Sequence, residues 1–350
     1  MDVPYFEAAG SHRQIGEMIG RAFSGQIRQF LEFKREYFEN GAARLDDSVR
    51  KTKKKFIDCC HAFAPHLLDE MQGCADGAGV GFDELLLINC ADEARNLCRA
   101  QSGDGCTSFA LLPETTGGPI LAGQSKDGPG PQWDHYIVLL IRPDDRPAVL
   151  QLCYPGMLAL LGISETGMCV FSNNISDGVV AEGLPTMVLK RLAWDCQHVD
   201  EVESMVASHG VAIASNFLFC DCYGGAACLE TQGARYGRVD AHDGVLVHTN
   251  HYLTPSLRGR ESDAYIRNYR SRERVERLKH LYGFHLGAID VPKVFECYRD
   301  HDGHPKSICC HETPEEFYGT TATLIAEPIS RRLHVCVGHC CEHQPVVYQV

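Results

Sequence analysis

The chain has 350 residues, 44% of them hydrophobic and 23% charged, with a formal net charge of -13. This is the composition of an ordinary folded chain, long enough for one large domain or two. The acidic balance and the lack of a long basic run exclude nucleic acid and anionic membrane surfaces as expected partners, since both select clustered Lys and Arg.

Met1-Asp2-Val3-Pro4-Tyr5-Phe6-Glu7 has neither the basic nor the apolar region of a secretory signal. No apolar stretch approaches the roughly 18 residues of a membrane span. The expectation is a soluble, cytoplasmic protein whose 18 cysteines are mostly reduced thiols serving as small core residues.

In chain order, residues 1 to about 100 read as mostly helical. Ile15, Met18, Ile19, Phe23, Ile27, Phe30 and Leu31 fall on one stripe of 3.6-residue period. A second amphipathic stretch runs from Asp47 to about Met71, with Pro65 marking a kink or a helix start. Its Lys51-Thr52-Lys53-Lys54-Lys55 run reads as a solvated face. A third stretch covers Phe82 to Cys98, after the glycines 77, 79 and 81.

The pattern changes at Gly103-Asp104-Gly105-Cys106-Thr107-Ser108-Phe109. An Asp-Gly turn leads into a cysteine that opens an apolar run, Phe109-Ala110-Leu111-Leu112, with the character of a buried strand. Strands follow at 120–123, 136–142, 147–153, 159–164 and 168–172, and helices at 184–195 and 199–208. Strands resume at 215–221, 226–231, 234–239 and 244–249. Helices at about 264–281 and 290–299 precede strands near 320–326, 332–337 and 345–349. This order predicts an α+β fold of stacked antiparallel sheets covered by helices.

A Gly-Cys-Thr step at the start of a strand suits a protein that cuts its own backbone. The Cys106 thiol attacks the Gly105 carbonyl, and glycine lets the backbone bend toward the attack without a Cβ clash. The cut makes Cys106 a new N-terminus, with nucleophile and free amine on one residue. A cysteine nucleophile also needs a group that holds its base and donors for the oxyanion. Asp127, Asn173, Asn174, Ser215, Asn216 and Asn250 lie near the ends of apolar strands and have the right chemistry, although such residues also serve as turn formers and caps.

Over nearly its whole length the chain resembles the self-processing acyltransferases and amide hydrolases typified by isopenicillin-N acyltransferase, of the N-terminal nucleophile class. Asp104-Gly105-Cys106-Thr107 matches the family's processing site, and Val247-His248-Thr249-Asn250-His251 is a near-identical block. Gly10-Ser11-His12-Arg13-Gln14-Ile15-Gly16, with Gly20, is similar to the opening glycine pattern. Gly123-Gln124-Ser125-Lys126-Asp127 is similar to a Gly-Gln-Asn-Trp-Asp motif. Further blocks are Gly162 to Asn173, the helical spacing of Ser271, Arg274 and Arg277, and Ser307-Ile308-Cys309. The chain departs from the family at Ser125, Lys126, Ser164 and Cys310, which argues against penicillin as substrate.

The resemblance implies a four-layer αββα sandwich, with residues 1–105 as a helical segment packed on a catalytic core of residues 106–350. It implies cleavage between Gly105 and Cys106 into two chains that stay together as a heterodimer. In the mature form the Cys106 α-amine is the base for its own thiol. Reference pKa values of about 7.7–8.0 and about 8.5 make that transfer nearly balanced. Asp127 orients the amine, Asn250 donates to the oxyanion, and Asn173, Ser215 and Ser307 support the site. The expected substrate is a small-molecule amide or acyl thioester, and no cofactor or metal is expected. The Arg274 and Arg277 side chains are expected in helix-surface ion pairs, with a local basic pocket for an anionic substrate as the alternative.

Two other readings compete. Cys309-Cys310-His311 and Cys336, His339, Cys340, Cys341 and His343 supply zinc ligands in quantity, but not at the spacing of a standard finger, so chance clustering is expected. The altered Ser125-Lys126 pair would suit a binding module that keeps the fold without the chemistry.

Overall fold

The computed structural model describes residues 3–40, 47–93, 105–175 and 181–350. Gly103 and Asp104 of the turn before Cys106, and the end of the third helical stretch, lie outside them.

The leading segment forms strand β1 (Tyr5–Gly10) and helices α1 (His12–Ala22), α2 (Ser24–Asn40), α3 (Asp47–Phe63), α4 (Pro65–Ala78) and α5 (Phe82–Asn89). Pro65 starts a helix rather than kinking one: it sits at the first position of α4, where its missing N–H leaves no bond unmade. Ser11 caps α1 by accepting from Gln14 N, while the Gln14 side chain accepts from Ser11 N. The glycines of this segment have a packing cause. A Cβ at Gly16 would lie 2.0 Å from Glu70 O, and one at Gly73 would lie 2.2 Å from Arg13 O. Helices α1 and α4 thus touch backbone to backbone, which only glycine permits.

The expectation of a mostly helical segment before residue 100 named no strand there, and so missed β1. It lies at one edge of an eight-stranded sheet, parallel to β4 (Ile137–Pro143), with Tyr5 to Gly10 in register with Val138 to Pro143. Its sequence, Tyr-Phe-Glu-Ala-Ala-Gly, is too short to separate from a helical start by periodicity. The sheet continues through β5 (Val149–Cys153), β6 (Leu161–Ser164), β7 (Cys169–Asn174), β8 (Val211–Cys220), β9 (Ala226–Gly233) and β10 (Arg235–Asp240).

The second sheet has six antiparallel strands. In spatial order they are β11 (Val245–His248), β2 (Cys106–Leu111), β3 (Leu121–Pro129), β12 (Tyr318–Glu327), β13 (Arg332–Val337) and β14 (Val346–Gln349). A four-residue helix, α6 (Pro113–Thr116), joins β2 to β3.

Strand alternation sorts the layers. Ala110, Ala122, Leu324 and Val335 join the apolar cluster shared with the eight-stranded sheet. Phe109, Leu111, Leu121 and Ile325 face the other way. They pack on Val275, Leu278 and Tyr282 of α10 (Ser271–Gly283) and on Val294 and Phe295 of α11 (Val291–Tyr298). Helices α7 (Thr186–Asp195) and α8 (Val199–His209) cover the eight-stranded sheet through Met187, Val188, Leu189, Val202 and Val206. The result is the αββα sandwich in four layers.

The single charged helix expected at 264–281 is two: α9 (Asp263–Asn268) and α10, separated at Tyr269 and Arg270, where Arg270 takes a left-handed φ of 47°. Strand β8 begins four residues earlier than expected, so Ser215 and Asn216 lie inside it. Among the described residues no helix is long and apolar enough to cross a membrane, and every cysteine is a free thiol.

Candidate active site

Cys106 is the first residue of β2, paired with Lys126 of β3. Alternation puts its side chain on the face of Ser108, whose Oγ donates to Asn173 Oδ1 of the opposing sheet at 2.6 Å. The thiol therefore points between the sheets, at the end of the strand. It is 4% exposed, and neither of the two large apolar clusters contains it.

The backbone around the Gly105–Cys106 bond is held at every polar atom. Gly105 N donates to Tyr318 Oη. Gly105 O accepts from Asp127 N at 2.7 Å. Cys106 N donates to Asn250 Oδ1 at 3.1 Å, and Cys106 O accepts from Arg274 Nη1 at 2.9 Å. A Cβ on residue 105 would lie 2.7 Å from Tyr318 Oη and 2.8 Å from Asp127 Oδ2, so glycine is required by space.

Asp127 is 2% exposed and sits within β3, on the Thr107 side of the sheet. Its carboxylate therefore faces the backbone at residue 105 rather than the thiol. Thr320 Oγ1 donates to Asp127 Oδ1 at 2.7 Å. Burial pushes the Asp127 carboxyl above its ordinary range, against the pull of Arg274, Thr320, Lys126 and Lys306.

Asn250 is fully buried just beyond β11. Its Oδ1 accepts from Cys106 N and, at 2.7 Å, from Arg274 Nη2, while its Nδ2 donates to Asn174 O at 2.9 Å. Its main-chain N donates to Ser271 Oγ at 2.8 Å. The neighbouring histidines are its scaffold. His248 Nε2 lies 2.8 Å from Glu230 Oε1, and His251 Nδ1 lies 2.8 Å from Ser271 Oγ. Burial acts to raise the Glu230 carboxyl, but His248, Thr254 and the Leu253 N–H together hold it below its ordinary range.

The other expected residues bond elsewhere than at the Gly105–Cys106 backbone. Asn173 also accepts from Asn216 Nδ2 at 2.8 Å, and Ser215 Oγ donates to Asn173 O at 3.0 Å, so these two order the opposing sheet beneath Ser108. Ser307 Oγ donates to Cys309 O and shapes the turn at that cysteine.

Arg274 is the main correction. It is 3% exposed, not a surface residue. Besides Cys106 O and Asn250 Oδ1, it donates from Nη1 to Thr107 Oγ1 at 2.7 Å and from Nε to Tyr269 O at 2.9 Å. The break before α10 turns this side chain inward, and helical periodicity could not show that. Arg277 does form the expected ion pair, 2.5 Å from Asp300. Tyr318 and Thr320 were missed because their apolar strand gave no polar-end signal. Lys190 of α7 was missed as an ordinary helix residue. It is 1% exposed, and burial takes its ammonium down to about 8, with Asp92 and Cys106 acting to raise it and Lys126 to lower it.

These elements place a cysteine at a strand start, a carbonyl bound by an amide, a buried carboxylate and a buried asparagine together. A model of the family described as acyl-coenzyme A:6-aminopenicillanic acid acyl-transferase matches residues 114–340, beginning just after β2. The chain is 23% identical over 248 residues to the beta-alanyl-dopamine/carcinine hydrolase of Drosophila melanogaster. That alignment covers 62% of this chain and 61% of the relative, so the chain spans less than two thirds of that protein's length. Among solved structures, it is similar to a conjugated bile acid hydrolase from Clostridium perfringens, with TM-score 0.45 and 12% identity over 69% of this chain and 97% of that one. It is also similar to a penicillin V acylase from Agrobacterium tumefaciens, with TM-score 0.40 and 12% identity over 70% of this chain and 77% of that one. With the family match spanning well over half of its residues, the chain belongs to the acyl-coenzyme A:6-aminopenicillanic acid acyl-transferase family.

Proposed function

We propose that the chain is a self-processing cysteine enzyme that hydrolyses or transfers the acyl group of a small-molecule linear amide. The observation that carries this is the Gly105 carbonyl, bound at 2.7 Å by Asp127 N next to a strand-opening cysteine and with no room for a side chain on residue 105. Family membership, and the similarity to a protein named for hydrolysing beta-alanyl-dopamine and carcinine, support the same chemistry.

In the first stage Cys106 Sγ attacks the Gly105 carbonyl carbon, and Asp127 N–H stabilises the oxyanion. The bond from Gly105 C to Cys106 N breaks, the nitrogen takes up the proton given up by Sγ, and a thioester joins Gly105 to Sγ. Water then hydrolyses the thioester, leaving a Gly105 carboxylate and a free Cys106 thiol and amine. Residues 1–105 and 106–350 remain associated as two chains.

In the second stage the freed α-amine takes the proton from Sγ as the thiol attacks the substrate carbonyl. Asn250 Oδ1, already on Cys106 N, keeps that amine in place. Asp127 holds it from the residue-105 side, and the Asn250 amide nitrogen serves the substrate oxyanion. Losing one such donor costs roughly 10²–10³ in rate. Water gives hydrolysis and an amine gives acyl transfer.

The test is intact mass of the purified full chain. Two fragments that meet at Gly105–Cys106, absent in Cys106→Ala, are expected, together with turnover of small N-acyl amines. A wild-type chain that stays whole and hydrolyses no amide overturns the proposal.

A further inference from the structure

Away from Cys106, two cysteines and two histidines converge. His301, Cys309, His311 and Cys341 bring one ligand atom each to within 4.8 Å of the others. His301 Nε2 is 3.1 Å from His311 Nε2. Cys309 Sγ and Cys341 Sγ are 3.5 and 3.4 Å from His311 Nε2 and 3.7 Å from each other.

Hydrogen bonding does not account for this. A ring nitrogen has one hydrogen or one lone pair, yet His311 Nε2 has three polar neighbours at contact distance. A tetrahedral zinc accounts for all of it. With Zn–S of about 2.3 Å and Zn–N of about 2.0–2.1 Å, the tetrahedron edges are about 3.7 Å for S···S, about 3.5 Å for S···N and about 3.4 Å for N···N. The observed separations match the sulfur edges closely and the N···N edge within about 0.3 Å.

We infer that His301, Cys309, His311 and Cys341 form a structural Cys₂His₂ zinc site, in place of the chance clustering expected from spacing alone. Binding forms two Zn–S and two Zn–N bonds and releases both thiol protons to solvent. The dication and two thiolates then sum to zero charge, which suits a half-buried site. The surroundings hold the ligands: Cys309 N donates to Asp300 O at 3.1 Å, setting the His301 loop beside Cys309. The His311 ring stacks on His339 with centroids 4.0 Å apart, and His339 Nε2 lies 2.9 Å from Glu312.

The site ties the loop after α11 to the turn after β13, and that loop reaches the candidate active site. Cys310, between two of the ligands, donates from N to Thr320 Oγ1 and accepts from Thr320 N, both at 2.9 Å. Thr320 Oγ1 in turn donates to Asp127. The metal thereby positions Asp127, a consequence that rests on the proposed role of Asp127; the zinc site itself does not.

The experiment is elemental analysis of the full chain, expressed without added zinc and purified without chelator. About one zinc per chain is expected, lost in Cys341→Ser and in the exposed-ligand variant His301→Gln, and retained in Cys222→Ser. Cobalt-loaded protein should show thiolate-to-metal charge transfer and tetrahedral ligand-field bands that change in His301→Gln. Wild type without stoichiometric metal and without cobalt uptake overturns the site, as does a fresh chain two hydrogens lighter with Cys309 joined to Cys341. Full zinc content in both ligand variants also overturns it. If zinc is present but its removal leaves Gly105–Cys106 cleavage unchanged, the site stands and its link to Asp127 fails.

Discussion

Gly105→Ala is the sharpest probe of the proposed cleavage, because it adds one methyl group and touches neither nucleophile nor base. The new Cβ would stand 2.7 Å from Tyr318 Oη and 2.8 Å from Asp127 Oδ2, and 3.4 Å from Asp127 Cβ. Restoring ordinary contact requires a displacement of about 0.5 Å between residue 105 and its neighbours. Overpacking of this kind costs about 1–3 kcal/mol of stability. A misplacement of about 1 Å at a reacting centre costs about 10²-fold in rate, so half of that predicts about tenfold slower cleavage. The assay follows intact mass from the moment of purification, alongside thermal unfolding. Gly118→Ala is the control, since its Cβ meets nothing within 4 Å. Cleavage of Gly105→Ala at the wild-type rate with wild-type stability would refute the tight-carbonyl reasoning.

Arg274→Gln removes charged donors from Cys106 O, Thr107 Oγ1 and Asn250 Oδ1. Such bonds are worth about 1.5–3 kcal/mol each, so at least tenfold loss in both cleavage and amide turnover is expected, without rescue by Arg274→Lys, whose ammonium has no planar fork; unchanged rates in either variant would remove Arg274 from the site. Gly16→Ala drives a Cβ to 2.0 Å from Glu70 O and should lower the melting temperature sharply while Gly25→Ala, with open space around it, does not. Burial acts to raise the Glu70 carboxyl, but Arg191 and His12 bring it from 4.5 down to about 2. A carboxyl held down by folding adds stability above its unfolded pKa and loses it as pH falls through the folded one, here from about 4.5 to about 2, and the difference is worth about 3 kcal/mol at neutral pH. The melting-temperature gap between wild type and Glu70→Gln should therefore be widest near pH 6 and shrink below about pH 4.5; a constant gap down to pH 3 would contradict the ion-pair account.

The strand and helix order after Cys106 was legible because most of the strands are short apolar runs between turn residues, and the sheets are built largely from those runs. Two features were not. β1 carries no alternation to distinguish it, and its partner β4 lies far along the chain, so pairing decides it. Arg274 sits in a run of charged residues whose pattern reads as solvent-facing, and the left-handed turn at Arg270 redirects it. For the proposed site, the Gly-Cys step and the His-Thr-Asn-His block pointed to Cys106 and Asn250, which the fold brings into contact. The groups that fix them, Tyr318, Thr320 and Ser271, are ordinary strand and helix residues whose duty appears only in three dimensions. Spacing likewise did not pick out the cluster proposed as a metal site: His301 was not singled out, and Cys336, Cys340 and His343 were, because the loop path rather than the interval brings the side chains together.

The edge strand β1 has a further consequence. Residues before position 106 lend the large sheet one of its own strands, and Glu70 and Asn89 reach across to Arg191 and to Gly156 O and Leu158 N. An uncut polypeptide assembles this as a first-order event, at a rate independent of dilution. If the proposed cleavage at Gly105–Cys106 occurs, the same pieces taken apart in denaturant would have to find each other again by collision, and recovery on removing denaturant would turn second order in protein.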